Sequence, residues 1–477
     1  LDYHGDFSAD WFGDLKTKVI MKTQAITDSL SQRFGLDPQT AKVLVVGMGG
    51  TGVSVARYLK KLNYSFAMID SRDQPPLMAE FFAELPDTPV FTGGFDAAAF
   101  AVATHLVVSP GLSLNEIAIQ KAIANGSKIV SDIDLFACSV EEPIIAITGS
   151  NGKSTVTTMV GEMAKACGKQ VAVGGNLGVP ALDLLARQAD LYVLELSSFQ
   201  LERTTALNAA AATVLNISAD HLDRHADMAE YAQEKQRVFN GTGAMVINGD
   251  DPTVSAMRED ERVTSTFSIK AAADFYLADQ AGVTYLMHND EKLMPLGELP
   301  LEGRHNAANA LAALALGAAV GLDTTAMCAA LRKFKGLEHR MQRVACMRGI
   351  TWVNDSKATN IGACVAALQG YADKVILIAG GQAKGADMNE LVPAIVEKAK
   401  SVVLIGADAP LIAQALQGVS VPVYTAENIG QAVQVAARLA VSGDNVLLSP
   451  ACASLDQFKN YEDRGQQFTK AVLTLAT

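Results

Sequence analysis

Three runs of β-branched and aliphatic residues, Val43–Val46, Ile144–Ile147 and Val375–Ala379, each lead into a glycine-containing turn and then a helix-compatible stretch. Uninterrupted apolar runs of this kind, as opposed to alternating ones, are what parallel strands covered on both faces require. Their spacing, about 100 and then about 230 residues, marks three α/β units. Glu141-Glu142-Pro143 precedes the second unit, and Lys335–Glu338 follows the Ala-rich helical stretch Asn306–Leu316. Boundaries are therefore expected near residues 131 and 336, giving domains 1–131, 132–336 and 337–477. Between residues 262 and 300, alternating segments such as Val283–Met287 predict a small antiparallel patch inside the middle domain.

Composition narrows this picture. A chain of 477 residues suits about three domains. With 49% apolar and 19% charged residues it is too apolar to be disordered. Its 39 Lys and Arg against 51 Asp and Glu leave a formal charge of −12, which argues against a nucleic-acid backbone as main partner. Uncharged stretches such as Asn306–Leu322 fall short of the roughly 20 residues a spanning helix needs, so no membrane span is expected. Six dispersed cysteines suggest neither a disulfide framework nor a zinc site, which fits a cytoplasmic protein. The opening residues lack an export-signal pattern, and 1–40 read partly as an extension without chemistry.

The first unit carries Gly47-Met48-Gly49-Gly50-Thr51-Gly52, a complete G-x-G-x-x-G after a strand, and Asp70 closes the next apolar run. Amides at a helix N-terminus bind a diphosphate, and an acid about 20 positions on takes ribose hydroxyls. Alone, this suggests a dinucleotide enzyme; a tight turn without a ligand is the bland alternative. The second unit carries Thr148-Gly149-Ser150-Asn151-Gly152-Lys153-Ser154-Thr155. A strict phosphate loop would have glycine where this chain has Ile147, so the pattern fails at one position. Its physical parts remain: backbone amides around phosphates, Lys153 reaching the β/γ oxygens, and the Ser154 hydroxyl for Mg²⁺.

Leu191–Leu194 ends in Glu195, where a phosphate-loop domain normally places a further Mg²⁺ contact. By itself His221, in Asp220-His221-Leu222-Asp223, reads as a structural histidine. Lys235, in the helical pattern Met228–Phe239, reads as a surface lysine. Asn354–Asn360, Gly380–Asp387 and Ser449–Asp456 each follow strand-like runs, where small polar residues form a ligand crevice in a doubly wound sheet. As isolated strings they are ordinary loops.

Taken together and in order, these strings resemble the ATP-dependent Mur ligases of peptidoglycan precursor synthesis, above all the branch that adds D-glutamate. The resemblance runs from about Lys42 to Phe468. It rests on Thr148–Ser154, Gly174–Gly178, Glu195–Gln200, Asp220–Asp223, His305-Asn306 with Asn309, His339-Arg340, Asn354–Asn360 and Ser449–Phe458. It implies an α/β protein of three domains, each a mainly parallel sheet with flanking helices. These are a Rossmann-like N-terminal domain for a UDP-sugar, a phosphate-loop ATPase central domain, and a Rossmann-like C-terminal domain that brings the amino acid. The first glycine loop is thereby reassigned. Gly49, Gly50, Thr51, Asp70, Ser71, Arg72, Ser109 and Gly111 would hold uridine diphosphate, and Asn176 the muramoyl part.

The implied reaction joins the L-alanyl carboxylate of UDP-N-acetylmuramoyl-L-alanine to the amine of D-glutamate. The carboxylate attacks the γ-phosphorus of ATP, ADP leaves, and the amine displaces phosphate from the acyl phosphate. The resemblance assigns ATP contacts to Gly149, Ser150, Asn151, Gly152, Lys153, Ser154, Thr155, Asn306, Asn309, Arg340 and Asp355. Ser154 and Glu195 would hold one Mg²⁺ and His221 a second. Lys235 would carry a CO₂-derived carbamate that turns a cation into a metal ligand. Lys153, Glu195, His221 and Lys235 are thus the expected catalytic set. Thr359, Lys384, Ser454, Leu455 and Tyr461 would take D-glutamate. The chain departs from the family before that lysine, with Gln382-Ala383 where Asp-Gly is common, which leaves the loop geometry open. The resemblance also implies a soluble monomer in the cytoplasm. Another amide ligase of the superfamily, such as a folylpolyglutamate synthase, and a nucleotide-dependent oxidoreductase built on Gly47–Gly52 are the alternatives.

Overall fold

The run Val43–Val46 becomes the centre of an all-parallel sheet in the order Val90–Phe91, Ser65–Ile69, Lys42–Val46, His105–Val108, Lys128–Ile129. The computed structural model describes residues 9–301 and 303–475, with side chains from Met21 onward. The first eight residues of the expected extension lie outside the described residues. The chain packs as two compact units. One comprises residues through Ile144 with Ala172–Ala209 and Arg237–Thr242; the other comprises Ile145–Val171, Ala210–Gln236 and everything from Gly243 on.

In the first unit, Leu44, Val46, Ile69, Leu106 and Val108 point into one apolar layer with Phe100 and Ile119. Covering both faces with helices explains why the strands read as continuous apolar runs. The chain order reverses between the neighbouring strands Lys42–Val46 and His105–Val108, and such a switch point opens a crevice at the strands' carboxyl ends. The helix Ala9–Phe34 precedes the first strand, and its Leu30 is completely buried. Packing therefore begins a dozen residues ahead of that strand, inside the stretch read as an extension.

In the second unit, the strand Ile144–Thr148 delivers the glycine turn to the start of the helix Lys153–Ala166. Beside it stand Ala211–Val214, Ala244–Asn248 and Thr264–Ser268, all parallel. The sheet continues through Phe275–Gln280 into the antiparallel strands Val283–His288 and Glu291–Pro295, the patch expected from the alternating segments. The helix Arg304–Ala319 is buried nearly all round, which its Ala-rich sequence, apolar on every face, permits.

A further sheet runs Gln342–Met347, Ile350–Asn354, Asn445–Leu448, Val375–Gly380, Ala399–Ile405, Val423–Thr425. All of its pairings are parallel except the first, an antiparallel edge. Trp352, Ile376, Ile378, Leu448 and Phe468 form one of its apolar layers; Leu377, Leu404, Leu447 and Cys364 form the other. The loops after Ile350–Asn354, Val375–Gly380 and Asn445–Leu448 leave neighbouring strands at the same end, so three strings far apart in sequence meet there. Among the described residues no helix is long and apolar enough to cross a membrane.

Candidate functional site

At the switch point of the first unit, Asp70 organises the crevice. Its carboxylate accepts from the Met48 amide (2.7 Å), the Arg72 amide (3.0 Å), and Arg72 Nε and Nη2 (2.8 and 2.6 Å). Burial works to raise the acid's pKa, but the Arg72 and Met48 bonds prevail and hold it at about 2. Ser109 Oγ donates to the Gly47 carbonyl at 3.1 Å, joining the turn after one strand to the glycine loop after the other. A side chain at Gly52 would meet that same carbonyl, so only glycine lets the helix Gly50–Lys61 start so close to the strand. Gly49, Gly50 and Gly111 face open space. The structure thus gathers Gly49, Gly50, Thr51, Asp70, Ser71, Arg72, Ser109 and Gly111 at the carboxyl ends of three neighbouring strands, Ser65–Ile69, Lys42–Val46 and His105–Val108. Elsewhere in the unit, Asn176 Nδ2 donates to Glu195 Oε1 at 2.7 Å, and its amide donates to the Glu195 carbonyl at 2.8 Å.

Asp132 lies fully buried in the same unit, at the start of the helix Asp132–Ala137. Burial pushes its carboxyl up to about 6, against Gln200 Nε2 at 3.4 Å and the nearby Arg203 cation. A raised folded-state pKa means the native protein binds more protons than the unfolded chain between about 4 and 6. Its contribution to stability is therefore present at low pH and lost as pH rises through about 6. Asp132→Asn has no such titration, so denaturation midpoints should move in the variant's favour between pH 4 and 7, by about 1–3 kcal/mol. A difference that stays constant with pH would contradict this.

In the second unit the glycine turn is pinned from below. The Ser150 amide donates to the Asn216 carbonyl (2.9 Å), Ser150 Oγ to the Ser218 carbonyl (3.0 Å), and the Asn151 amide to Asn216 Oδ1 (2.8 Å). Lys153 Nζ lies 2.8 Å from both the Gly149 and Ser150 carbonyls. Lys235 is not a surface residue: it is 2% exposed, with Nζ 2.9 Å from the Gly149 carbonyl and 3.4 Å from Thr148 Oγ1. The same nitrogen sits 4.6 Å from the centre of the Tyr231 ring. Tyr231 went unnoticed in the sequence, although its place four residues before Lys235 puts both on one helix face.

His221 has a left-handed backbone, φ 56°, which holds its ring next to Asp220. Burial, opposed by Asp220 and reinforced by Lys384, Lys153 and Lys235, pushes the imidazole down to about 4, so the ring is neutral at neutral pH. A neutral ring is the form that ligates metals. Lys384 Nζ approaches Asp220 Oδ1 at 3.3 Å, and Asn360 Nδ2 donates to Asp220 Oδ2 at 3.0 Å. Asn360 also exchanges side-chain amide bonds with Asn151 of the glycine turn, at 3.1 and 3.2 Å.

A cavity of about 860 Å³ opens beside the turn, within the range of small-molecule sites. Of the expected ATP residues, Asn151, Gly152, Thr155, Asn306, Asn309, Arg340 and Asp355 line it; Gly149, Ser150, Lys153 and Ser154 do not. Arg340 nonetheless reaches Ser154, its Nη2 donating to Ser154 Oγ at 2.8 Å. Asp355 accepts from Ser449 Oγ (2.9 Å) and the Met341 amide (3.2 Å), while burial pushes its carboxyl up to about 7 against these contacts. Lys357 also lines the cavity and lies 3.7 Å over the Tyr461 ring. It lies inside the Asn354–Asn360 string, whose sequence does not distinguish it from its neighbours.

The Gln382-Ala383 departure proves well accommodated. Gln382 and Ala453 exchange two backbone bonds (3.0 and 2.9 Å), and the Ala383 amide donates to Asp408 Oδ2 at 2.7 Å. That bridge brings the Lys384 loop alongside Ser454. Gly381 carries φ +133°, and a Cβ there would strike the Ala453 carbonyl, so the bridge depends on glycine. Arg464, completely buried, donates to the Ser356, Cys452 and Ala453 carbonyls and so ties the Thr359 loop to the Ser454 loop. Leu455 is exposed, and Tyr461 opens the helix Tyr461–Thr474. Nothing in the string around Arg464 distinguishes it from a surface arginine.

Among the described residues, no three or more His, Cys, Asp or Glu side chains form a metal cage. A Mg²⁺ that takes most of its ligands from phosphates and water needs none, and Ser154 offers a hydroxyl at the head of the phosphate-loop helix.

Three family models match along the chain: the Mur ligase MurD-like N-terminal domain at 41–131, the Mur ligase middle domain at 147–317, and the Mur ligase glutamate ligase domain at 339–452. The chain belongs to the Mur ligase family. Within the family it is 52% identical over 446 residues to the UDP-N-acetylmuramoylalanine–D-glutamate ligase of Methylococcus capsulatus, covering 93% of this chain and 97% of that protein. The enzyme of the same name from Pseudomonas aeruginosa is 51% identical over 439 residues, covering 91% and 98%. Among solved structures, the UDP-N-acetylmuramate–alanine ligase MurC of Thermotoga maritima superposes with a TM-score of 0.60 at 18% identity, covering 91% of this chain and all of that one. A pseudomurein peptide ligase type C from Methanothermus fervidus gives 0.61 at 18% identity, covering 92% and 100%. At that identity they speak for the fold alone: three Mur ligase domains of mainly parallel sheet.

Proposed function

We propose that this chain is the ATP-dependent ligase that adds D-glutamate to UDP-N-acetylmuramoyl-L-alanine, releasing ADP and phosphate, in cytoplasmic peptidoglycan precursor synthesis. The observation that carries the proposal is identity of about half over nearly the full length of both chains with enzymes of that name. Lys384 and Ser454, brought together at the rim of the C-terminal sheet, supply a cation and a hydroxyl suited to a dicarboxylic amino acid. The domain division proposed is 1–131 for the UDP-substrate, 132–336 for ATP and 337–477 for the amino acid, and the working unit is a monomer.

The chemistry assigned to the residues is chiefly positioning and charge stabilisation. The glycine turn at the head of the helix Lys153–Ala166, together with the Lys153 ammonium, orients the γ-phosphate for in-line attack by the L-alanyl carboxylate, with Arg340 reaching the same phosphates. Asn306, Asn309, Thr155 and Asp355 hold the nucleotide in the cavity. Ser154 and Glu195 would hold one Mg²⁺ and His221 a second, and the ions would supply neutralisation of the charge on the transferred phosphoryl group. Lys235 would carry the carbamate; its burial beside the Gly149 carbonyl of the glycine turn is what supports this. Gly49–Thr51, Asp70–Arg72, Ser109 and Gly111 hold uridine diphosphate and Asn176 the muramoyl part. Thr359, Lys384, Ser454, Leu455 and Tyr461 hold D-glutamate.

Phosphate release measured with a panel of amino acids tests the whole reading. It is expected to require UDP-N-acetylmuramoyl-L-alanine and D-glutamate together. Equal release with L-glutamate and a folate acceptor would favour a folylpolyglutamate synthase, and release independent of either substrate would refute a ligase.

A further inference from the structure

Arg203 follows the short helix Ser198–Leu201 in the first unit, and its side chain is fully buried. Its guanidinium spreads over the turn after the strand His105–Val108. Nη1 donates to the carbonyls of Val108 (3.0 Å) and Ser109 (3.1 Å), and Nη2 to that of Leu112 (3.2 Å). Nη2 also meets Glu202 Oε2 at 3.0 Å, which helps balance the charge. Three carbonyls of one turn therefore converge on one rigid fork. Lysine, a point donor on a flexible stem, cannot hold three such directions at once. The turn so held is the one whose Ser109 Oγ bonds to the Gly47 carbonyl.

We propose that Arg203 is a positioning residue for the nucleotide end of the UDP-substrate. It fixes the Val108–Leu112 turn so that Ser109 and Gly111 present their groups to the diphosphate at the switch point. It also links that turn to the chain segment that carries Glu195, eight residues earlier, whose carboxylate accepts from Asn176. This inference rests on the assignment of Ser109 and Gly111 to uridine diphosphate.

The test compares Arg203→Lys, Arg203→Ala, Ser109→Ala and the Ser109→Ala/Arg203→Lys double variant. The readouts are steady-state kinetics for each substrate, calorimetric binding of UDP-N-acetylmuramoyl-L-alanine without ATP, and thermal melting. Arg203→Lys is expected to raise KM and Kd for the UDP-substrate about tenfold while kcat and the KM values for ATP and D-glutamate change less than about threefold. Arg203→Ala should do more. The double variant should be little worse than the stronger single one, because both substitutions act on one turn. If Ser109→Ala raises KM for the UDP-substrate and Arg203→Lys does not, the role given to Arg203 is wrong. If Ser109→Ala also leaves it unchanged, the placement of uridine diphosphate falls, and the inference with it. A uniform loss of kcat with lowered melting and no selective change in KM would mark Arg203 as a scaffold residue only.

Discussion

Lys153→Ala is expected to lower kcat by about three orders of magnitude while leaving the Kd for UDP-N-acetylmuramoyl-L-alanine within about twofold. The lysine opens the helix Lys153–Ala166, and its Nζ now bridges two carbonyls of its own turn. Under the proposed assignment the same ammonium exchanges those neutral acceptors for ATP phosphate oxygens whose charge grows during transfer. An interaction that strengthens toward the transition state is lost from kcat more than from KM. The UDP-substrate is assigned to a separate glycine loop under the proposed function, so its calorimetric affinity is the internal control. Turnover within tenfold of the parent would remove Lys153 from the phosphoryl-transfer machinery.

The second large effect is expected at Lys384. Lys384→Ala should raise KM for D-glutamate by about 100-fold or more, with KM for ATP changed less than about threefold, and Lys384→Arg should recover part of the loss. A charge-assisted contact to a carboxylate is worth a few kcal/mol when its partner is desolvated, which corresponds to that range. The lysine sits at φ 51°, a backbone state that costs energy for a side-chain-bearing residue and is held here by the Gln382–Ala453 bridge. Its ammonium leans on Asp220, so a D-glutamate carboxylate held as proposed would share or displace that partner. Steady-state kinetics with each substrate varied in turn separates the two constants. Equal rises in KM for ATP and D-glutamate would mean that Lys384 supports the architecture and does not bind the amino acid.

Both predictions depend on local charge set against a chain of net charge −12, whose substrates are themselves anions. The long-range field does not favour them. Under the proposed assignment the glycine turn, Lys153, Arg340 and Lys384 supply attraction at short range, where low dielectric makes it strong.

How much of this was legible follows from the physics of each feature. Glycine turns after apolar strands are local, so Gly47–Gly52 and Thr148–Thr155 could be placed from their own residues. The meaning of Lys235 could not: helix periodicity leaves it on a polar face, and only the fold carries that face under the phosphate loop. Tyr231 stood at helical spacing from it, a usable but unused signal. Lys357 lay in a string already marked, yet only the cavity distinguishes it from its neighbours. Arg203 and Arg464 were invisible, because a buried arginine and a surface arginine share the same local sequence, and what separates them is which distant carbonyls they meet.

The sequence by itself determined the α/β class, the three apolar strand-to-glycine-turn units, the antiparallel patch and, through ordered motifs, the family, since all of these reside in patterns over short windows. Only the tertiary structure decided which loops share a crevice. Strand order within a sheet puts the Asp70 turn and the Ser109 turn on either side of one glycine loop and the Lys384 loop beside the Ser454 loop, while contacts between two different sheets put Arg340 on Ser154 and Lys384 on Asp220. Partners separated by tens to hundreds of residues are chosen by sheet topology and burial, and no window of sequence contains both.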